Sequence, residues 1–136
     1  MILTIDPGAD AGWAHFDPTT KRLLACGLNE GAFSSTPPRR VIIERPHTGR
    51  SKASPKDIIT LAIRAGEWGG KVQALFLVTP EYIEPARWKG SLEKKLCNRL
   101  VFERLSQEEK IILGPKKNHN VLDAVGIGLF SVGRFP

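Results

Sequence analysis

Three acidic residues stand in apolar surroundings, and acids in such settings are candidates for metal-ion chemistry. Asp123 is the only charged side chain in the stretch 121–132, and Asp6 and Glu44 each directly follow a short, mostly apolar run. A carboxylate among apolar neighbours is costly unless its charge is compensated. Three acids, each at the end or on the face of a hydrophobic element, predict one shared negative pocket. The usual occupant of such a pocket is a hard divalent cation with oxygen ligands.

Acids in this arrangement are typical of a nuclease that uses two divalent ions. Two ions roughly 3.5–4 Å apart can activate a water and stabilise the leaving 3′-oxygen of a phosphodiester. That chemistry needs one carboxylate that bridges both ions and others that hold each ion singly. Asp6 on the predicted central strand is the natural bridge, Glu44 reaches the pocket from a neighbouring strand, and Asp123 approaches from a helix across the sheet. Magnesium keeps several waters, so few protein ligands suffice.

Two polar residues just before Asp123 are candidates to complete the site. In a helix that has already begun, Asn120 lies one turn from Asp123 on the same face, where its carbonyl oxygen can bind a metal ion. His119 is chemically the better general base or second-metal ligand, although helical spacing places it slightly off that face. Geometry favours Asn120 and chemistry favours His119. A structural role for Asn120 as the N-cap of the helix is equally compatible with the sequence.

The composition indicates a basic globular chain with one domain, residues 1–136. Its hydrophobic fraction of 41% and charged fraction of 25% are ordinary for a protein with a single core. Lysine and arginine number 20 against 14 acids, which gives a net charge of +6. A basic surface around an acidic pocket suits a polyanion that is brought to metal ions, although many small basic proteins bind no nucleic acid.

Nothing in the sequence indicates secretion or membrane insertion. The first residues form an apolar run rather than a basic segment with a signal-peptide core, and no apolar run is long enough to span a bilayer. Cys26 and Cys97 are far apart and form no CxxC pair, so neither a disulfide framework nor a zinc site is expected. We therefore expect a cytoplasmic protein.

Short apolar runs between turn residues predict strands, mostly in the first third of the chain. The expected strands cover 2–5, 12–16, 23–28 and 41–44, with a further core segment over 74–78 and a short strand over 82–84. Because helical patterns separate and follow the later strands, the expected fold class is α/β, a mixed sheet covered by helices.

The first predicted helix starts at a strong signal and carries two apolar stripes. Ser54 can cap it, Pro55 suits its first position, and Asp57 occupies the place of a capping-box acid. A surface helix needs only one apolar stripe. The second is expected to be buried by another helix of the chain or, alternatively, to form a dimer face with close contact at its glycines. The first stripe contains Ile58, Leu61, Ala62 and Ala65, the second Ile59, Ile63 and Gly66, and the glycines are Gly66, Gly69 and Gly70.

Two more helices are predicted in the second half of the chain. After a turn at Pro85–Lys89, Ser91 is a candidate cap for a helix that reaches about Leu105. A basic loop over 114–119 leads to the last helix, which carries Asp123. The apolar side of the first of these helices is expected to contain Leu92, Leu96, Leu100 and Leu105.

Four sequence blocks together resemble the RuvC-type Holliday junction resolvases, a group within the RNase H-like superfamily. The blocks are ILTIDPG over 2–8 with Gly12-Trp13, VIIE over 41–44, PARWK over 85–89 and HNVLDA over 119–124. They cover nearly the whole chain in the expected order. The resemblance implies a mixed five-stranded sheet flanked by helices, a homodimer, two Mg²⁺ or Mn²⁺ ions per site, and paired symmetric nicking of four-way DNA junctions.

The resemblance also implies roles for single residues. Asp6, Glu44 and Asp123 match the acidic ligands of the family. The position three before Asp123 is usually Asp or His, and Asn120 with His119 before it departs from that pattern at the fourth ligand. The short chain is similar to compact phage-type members, and a phage-encoded protein would act in the host cytoplasm.

Basic residues near the scissile phosphate are part of the same family pattern. Lys89 matches the lysine that follows the last strand, and Lys94 or Lys95 matches the lysine on the next helix. A lysine at such a place stabilises the charge that develops on the phosphate. Lys89 is equally interpretable as a solvated surface residue, and for Lys94 and Lys95 taken singly the surface interpretation is favoured.

The loop after Glu44 departs from the family, which often places an aromatic wedge there. In this chain the loop has no Phe or Tyr. His47 could stack on a base, while Arg45, Arg50 and Lys52 could hold backbone phosphates. The way in which the junction is opened, the sequence preference and any helicase partner do not follow from the sequence.

Other functions compatible with the acidic pocket are an RNase H-like nuclease that acts on RNA or an RNA–DNA hybrid, and a protein that binds branched DNA without cutting it. A pure binder gains nothing from acids that face phosphates. An ATP-binding protein of the actin-like group also uses an Asp-x-Gly turn, but it needs two lobes, and 136 residues are too few. The sequence thus favours a metal-dependent, structure-selective DNA endonuclease.

Overall fold

A mixed sheet of five strands forms the centre of the protein. The computed structural model describes residues 1–29, 36–47, 54–115 and 118–136. In spatial order the strands are β3-β2-β1-β4-β5, with β2 antiparallel to β1 and β3, and β4 parallel to β1 and β5. The predicted fold class is confirmed. The strands are β1 (Ile2–Asp6), β2 (Gly12–Phe16), β3 (Leu23–Leu28), β4 (Arg40–Glu44) and β5 (Glu81–Ile83).

Helices cover both faces of the sheet, so its central strands are apolar on both sides. Leu3 and Ile5 of β1 face a core completed by α1 (Pro55–Phe76), whose buried residues are Ala65, Gly69 and Val72. The other face is covered by helices of the second half of the chain. The remaining helices are α2 (Pro85–Lys89), α3 (Lys94–Glu103), α4 (Gln107–Leu113) and α5 (His119–Ser131). None of the helices in the described ranges is long and apolar enough to cross a membrane.

The first helix is longer than the sequence predicted. The Ser54 side chain caps it by accepting from the Asp57 N–H at 3.2 Å, and the helix then continues to Leu77, which ends it in a left-handed conformation. The core segment expected over 74–78 is therefore wrong, because its first half is the last turn of α1. Leu77 is 90% exposed. A short apolar run does not by itself distinguish a strand from a helix.

The second apolar stripe of α1 lies open. Ile59 is 60% exposed and Ile63 is 56% exposed. A Cβ atom added at Gly66 or Gly70 would meet nothing within 4 Å. The expectation that another helix of the chain buries this stripe is wrong for the described residues, and the alternative of a partner face remains.

The segment between β5 and α4 is more helical than expected. Pro85–Lys89, expected as a turn, is the short helix α2. The next helix begins after Glu93 rather than Ser91, and its buried residues are Cys97 and Val101, while Leu96 is exposed. Of the four leucines expected on the apolar side, Leu105 is buried and Leu92 and Leu100 pack against the core, so Leu96 alone departs from the expectation.

Two helix starts in the last third also differ from expectation. The helix α4 was not predicted, although Ser106 and Glu109 form a complete capping box at its start. At α5 the cap is Asn118, whose side chain accepts from the N–H groups of Asn120 and Val121. The suggestion that Asn120 is the N-cap is therefore wrong, and Asn120 lies inside the helix, one turn before Asp123.

Candidate active site

Three acidic side chains meet at the carboxyl edge of the two central parallel strands. Asp6 ends β1 and Glu44 ends β4, and the two strands pair in register, with Ile5 opposite Ile43. Asp123 comes from α5, which packs on β1 and β2. Asp6 and Asp123 are buried, and Glu44 is half-buried. The structure therefore brings together the three acids that the sequence singled out.

Two contacts hold α5 so that Asp123 reaches the strands. The buried Thr4 hydroxyl of β1 donates a 2.6 Å hydrogen bond to the Ala124 carbonyl, next to Asp123. At Gly12 of β2, a Cβ atom would lie 2.1 Å from the backbone oxygen of Asn120. Only glycine at this position lets the first turn of α5 come so close to the sheet.

Burial disfavours the charged form of all three carboxyl groups. Burial, followed by the charges of Glu44 and Asp123, raises the pKa of Asp6 from 3.8 to about 8. Burial also raises the pKa of Glu44 and of Asp123. A hydrogen bond between Asp6 and Asp123 opposes the rise at Asp123. Without a cation, the pocket therefore retains a proton at neutral pH.

Two lysines partly compensate this negative charge. The Lys89 ammonium lies 3.9 Å from Asp123 Oδ2. The charges of Lys89 and Lys94 lower the pKa of all three acids, against the effect of burial. Of the two α3 lysines named from sequence, Lys94 acts on the acids, and Lys95 is an exposed neighbour. The arrangement places positive charge beside the carboxylates, where a phosphate would approach them.

Trp88 contacts the site, although no role for it was predicted from the sequence. Its indole N–H donates a 2.7 Å hydrogen bond to Glu44 Oε2. The Lys89 ammonium lies 5.0 Å from the centre of the Trp88 ring. The signal that could have located it is the sequence Trp88-Lys89 itself, since a lysine assigned to the pocket brings its neighbour close to the same acids.

Asn120 and His119 take different positions at the start of α5. The Asn120 amide donates a 2.7 Å hydrogen bond to the carbonyl of Asp10 and packs against Gly8. It therefore ties the turn after β1 to α5. His119 is exposed, and its charge lowers the pKa of Asp123. Asn120 and His119 therefore stay alternative predictions for the residue that completes the site.

The residues proposed to contact DNA are only partly described. Arg45 directly follows Glu44 and forms an exposed 3.2 Å ion pair with Glu84. His47 is half-buried two residues further on. Arg50 and Lys52 lie outside the described residues.

The chemistry of the three acids fits a hard divalent cation. Carboxylate oxygens are the ligands that Mg²⁺ and Mn²⁺ favour, and a cation would compensate the charges whose burial raises these pKa values. In the described ranges, however, no three His, Cys, Asp or Glu side chains are arranged as a preformed metal cage. The acids interact strongly through their charges but do not converge fully. Mg²⁺ retains several waters, and these would fill the gaps between such acids.

Comparison with known proteins identifies the fold. No protein-family model matches the chain, and no curated protein matches it by sequence. The Thermus thermophilus RuvC structure in complex with Holliday junction substrate is 17% identical, with a TM-score of 0.60, over 94% of this chain and 90% of that one. A second T. thermophilus RuvC structure is 16% identical, with a TM-score of 0.53, over 98% and 97% of the two chains. At these identities the likeness shows a RuvC-like fold.

Proposed function

We propose that this protein is a metal-dependent, structure-selective DNA endonuclease that resolves four-way junctions by paired symmetric nicks. The observation that carries the proposal is the position of the acids. Asp6, Glu44 and Asp123 meet where β1, β4 and α5 converge, and their pKa values are raised by burial in one pocket. The RuvC-like fold supports the same function, because one of the similar structures holds a Holliday junction substrate.

The three acids would hold two Mg²⁺ or Mn²⁺ ions, with Asp6 between them and either Asn120 or His119 as a further ligand. Bound ions of this kind lower the pKa of a water and stabilise the leaving oxygen of a phosphodiester. Lys89, 3.9 Å from Asp123, is placed to stabilise negative charge on the phosphate as it develops. Attack of water on phosphorus breaks the bond to the 3′-oxygen and leaves a 3′-hydroxyl and a 5′-phosphate.

Basic residues around the pocket would hold the DNA backbone. Lys94, Lys95 and Arg45 are exposed, and the chain carries a net charge of +6. Arg45 directly follows Glu44, and the charge of Lys94 acts on all three acids. We assign backbone contacts to these residues and to Arg50 and Lys52, and base stacking to His47. Binding should therefore weaken steeply as the salt concentration rises, because phosphate contacts release counterions.

We also propose that the active form is a homodimer. Two copies related by a two-fold axis would present two equivalent active sites to a four-way junction, which suits two symmetric cuts. The open stripe of α1 supports this assembly, because isoleucines and glycines are costly on a solvent-exposed helix that nothing covers.

The test is a cleavage assay on a synthetic four-way junction with Mg²⁺ and, separately, with Mn²⁺. Linear duplex, single strand and an RNA–DNA hybrid serve as competing substrates. We expect paired nicks confined to the junction. Asp6→Asn should lower cleavage on the order of a thousandfold or more while junction binding persists or tightens, because the variant loses a ligand and a negative charge.

Three other outcomes would contradict parts of the proposal. Cleavage of the hybrid alone would make the protein a nuclease of RNA. Tight junction binding without cleavage would make it a binding protein. Full activity of Asp6→Asn would remove the metal site from this pocket. The matched control is Asp57→Asn, the same chemical change at an exposed acid in the first turn of α1.

A further inference from the structure

We propose that Trp88 is a positioning residue that presents Glu44 to the metal site through a single carboxylate oxygen. The inference rests on the proposed metal-dependent function and adds a residue to it. Trp88 itself would contact neither metal nor DNA. Its indole N–H would donate a hydrogen bond to Oε2 of Glu44, so that Oε1 would remain available as the metal ligand.

The hydrogen bond is short, and its donor is buried. The Trp88 Nε1 to Glu44 Oε2 distance is 2.7 Å. Trp88 is only 2% exposed. A hydrogen bond to a charged acceptor is roughly twice as strong as one between neutral groups, and burial keeps water from competing for it. Glu44 otherwise has three rotatable side-chain bonds, so this contact selects one of its many orientations.

The Trp88 ring sits in a slot that only a glycine can form. A Cβ atom added at Gly126 of α5 would lie 2.3 Å from the ring. Phe135, from the C-terminal segment of the chain, also packs its ring against Trp88, with the ring centroids 5.9 Å apart. The indole is therefore fixed before any ligand arrives, and so is its N–H.

The slot and Asp123 belong to the same face of α5, since Gly126 follows Asp123 by three residues. On α2, Trp88 and Lys89 are consecutive, and they serve different acids. Trp88 donates to Glu44, while Lys89 lies 3.9 Å from Asp123. One short helix thus sets the geometry of two acids that come from β4 and α5.

A partner that orients a metal ligand typically changes metal affinity or activity tenfold to a hundredfold when it is removed. Trp88→Phe keeps an aromatic ring in the Gly126 slot and removes only the N–H donor. We therefore expect this variant to bind Mg²⁺ about tenfold to a hundredfold more weakly, as isothermal titration calorimetry without DNA would measure.

The matched control is Trp13→Phe. Trp13 is another buried indole, but it lies on β2 and belongs to the core on the α1 side. Its N–H has no acceptor among the residues that the structure describes. The same replacement at this position should leave Mg²⁺ affinity unchanged.

A second readout does not depend on how well the variant folds. The chain has three tryptophans, so a ¹H–¹⁵N spectrum of the wild-type protein shows three indole signals. We expect the Trp88 signal to shift saturably on addition of Mg²⁺, because the cation draws charge from the carboxylate that accepts its hydrogen bond. The signals of Trp13 and Trp68 should stay in place. The signal that disappears in Trp88→Phe is the Trp88 signal. Trp13→Phe and Trp68→Phe identify the other two signals and so assign the Trp88 signal by elimination.

The possible results separate this inference from the proposed function. The inference is overturned, and the metal site stands, if Glu44→Gln loses Mg²⁺ binding while Trp88→Phe keeps wild-type affinity. The same holds if the Trp88 signal does not shift on addition of Mg²⁺. If the wild-type protein binds no divalent cation, both are overturned. Weakened binding by Trp88→Phe together with a shifted indole signal supports the inference.

Discussion

At Asp6, burial and two neighbouring carboxylates act in the same direction. The Asp6 carboxylate loses solvation through burial and is repelled by Glu44 and Asp123, so its pKa rises to about 8. In a protein without ligands such an arrangement only costs stability. It becomes useful when a cation binds, because the same carboxylates then gain attraction in place of repulsion.

This gives a prediction for the metal-free protein. The pKa of Asp6 is about 8 in the folded state against an ordinary value of 3.8. Between these values the folded state binds more protons than the unfolded chain, so the free energy of unfolding falls as the pH rises from about 4 to about 8. Asp6→Asn carries no titrating group and should flatten this slope. In EDTA above pH 8 it should unfold at least about 3 °C higher than the wild type, which corresponds to on the order of 1 kcal/mol.

Thermal unfolding followed by circular dichroism across this pH range measures the effect. Asp57→Asn should keep the wild-type slope, because Asp57 is exposed. Saturating Mg²⁺ should reduce the slope of the wild type, since the cation replaces the proton. An equally steep slope for Asp6→Asn in EDTA would show that the pocket does not disfavour the charge of this acid.

Among the elements, α4 joins the C-terminal segment to the sheet through a buried ion pair. Arg134 donates to both carboxylate oxygens of Glu109, at 2.8 and 2.9 Å, and the Leu23 N–H of β3 donates to the same carboxylate at 2.7 Å. Burial alone would raise the pKa of Glu109, but these hydrogen bonds outweigh it and hold the pKa at about 2. Phe135, which follows Arg134, then packs against Trp88.

Removing one charge of this pair should destabilise the fold strongly. Glu109→Gln leaves Arg134 without its counter-charge, and breaking a buried pair in this way typically costs about 3–5 kcal/mol. Urea unfolding measures the loss. As a control, Arg99→Ala breaks the exposed pair with Glu103 on α3 and should cost less than about 0.5 kcal/mol. Equal effects of the two substitutions would show that the Glu109 pair contributes no more than a surface pair.

How far the sequence predicts these elements depends on how local their signals are. Ser54-Pro55 marks the start of α1 because capping is local, and the strand runs of β1 to β4 are short and bounded by turns. The far end of α1 was missed, because the short apolar run 74–78 does not by itself distinguish a core strand from the last turn of a helix. The α4 start was missed although Ser106 and Glu109 carry a complete local signal.

At the site, the acids were predictable because a lone charge in an apolar run stands out in the sequence. Lys89 could have located its neighbour Trp88 near the pocket, but the role of Trp88 was not predictable, because it depends on the Gly126 slot and on Glu44, which lie far from it in the chain. Asn120 shows the same limit. Its side chain bonds to Asp10, a contact set by how α5 approaches the turn after β1.

At the scale of the whole molecule, the open face of α1 is where we expect the second copy to bind. Positions 59, 63, 66 and 70 are spaced by four, three and four residues, so they form one stripe along the helix. The two glycines on it face open space, and they would let another helix approach closely. A groove of about 280 Å³ lies alongside, lined by Ile58, Ala62, Gly66 and Tyr82 among others. The isoleucines of one copy could enter the groove of the other, which gives a self-complementary two-fold contact.

Ile63→Glu should therefore convert the dimer to a monomer, because it buries a charge at the centre of this contact. Light scattering after size exclusion measures the mass. The control is Ile111→Glu, the same change at a residue of α4 that is 79% exposed, and it should leave the dimer intact. A wild-type mass equal to that of one chain would contradict the assembly, and a dimeric Ile63→Glu would move the contact to another surface.

The same variant links assembly to the pattern of cutting. A monomer retains Asp6, Glu44 and Asp123, so it should still nick DNA, but it holds only one active site on a junction at a time. On a supercoiled plasmid that extrudes a cruciform, two nicks within one binding event give linear DNA, whereas single nicks give relaxed circles. We expect linear product from the wild type and from Ile111→Glu, and relaxed circles from Ile63→Glu. Linear product from a proven monomer would mean that the paired cuts do not require a second copy.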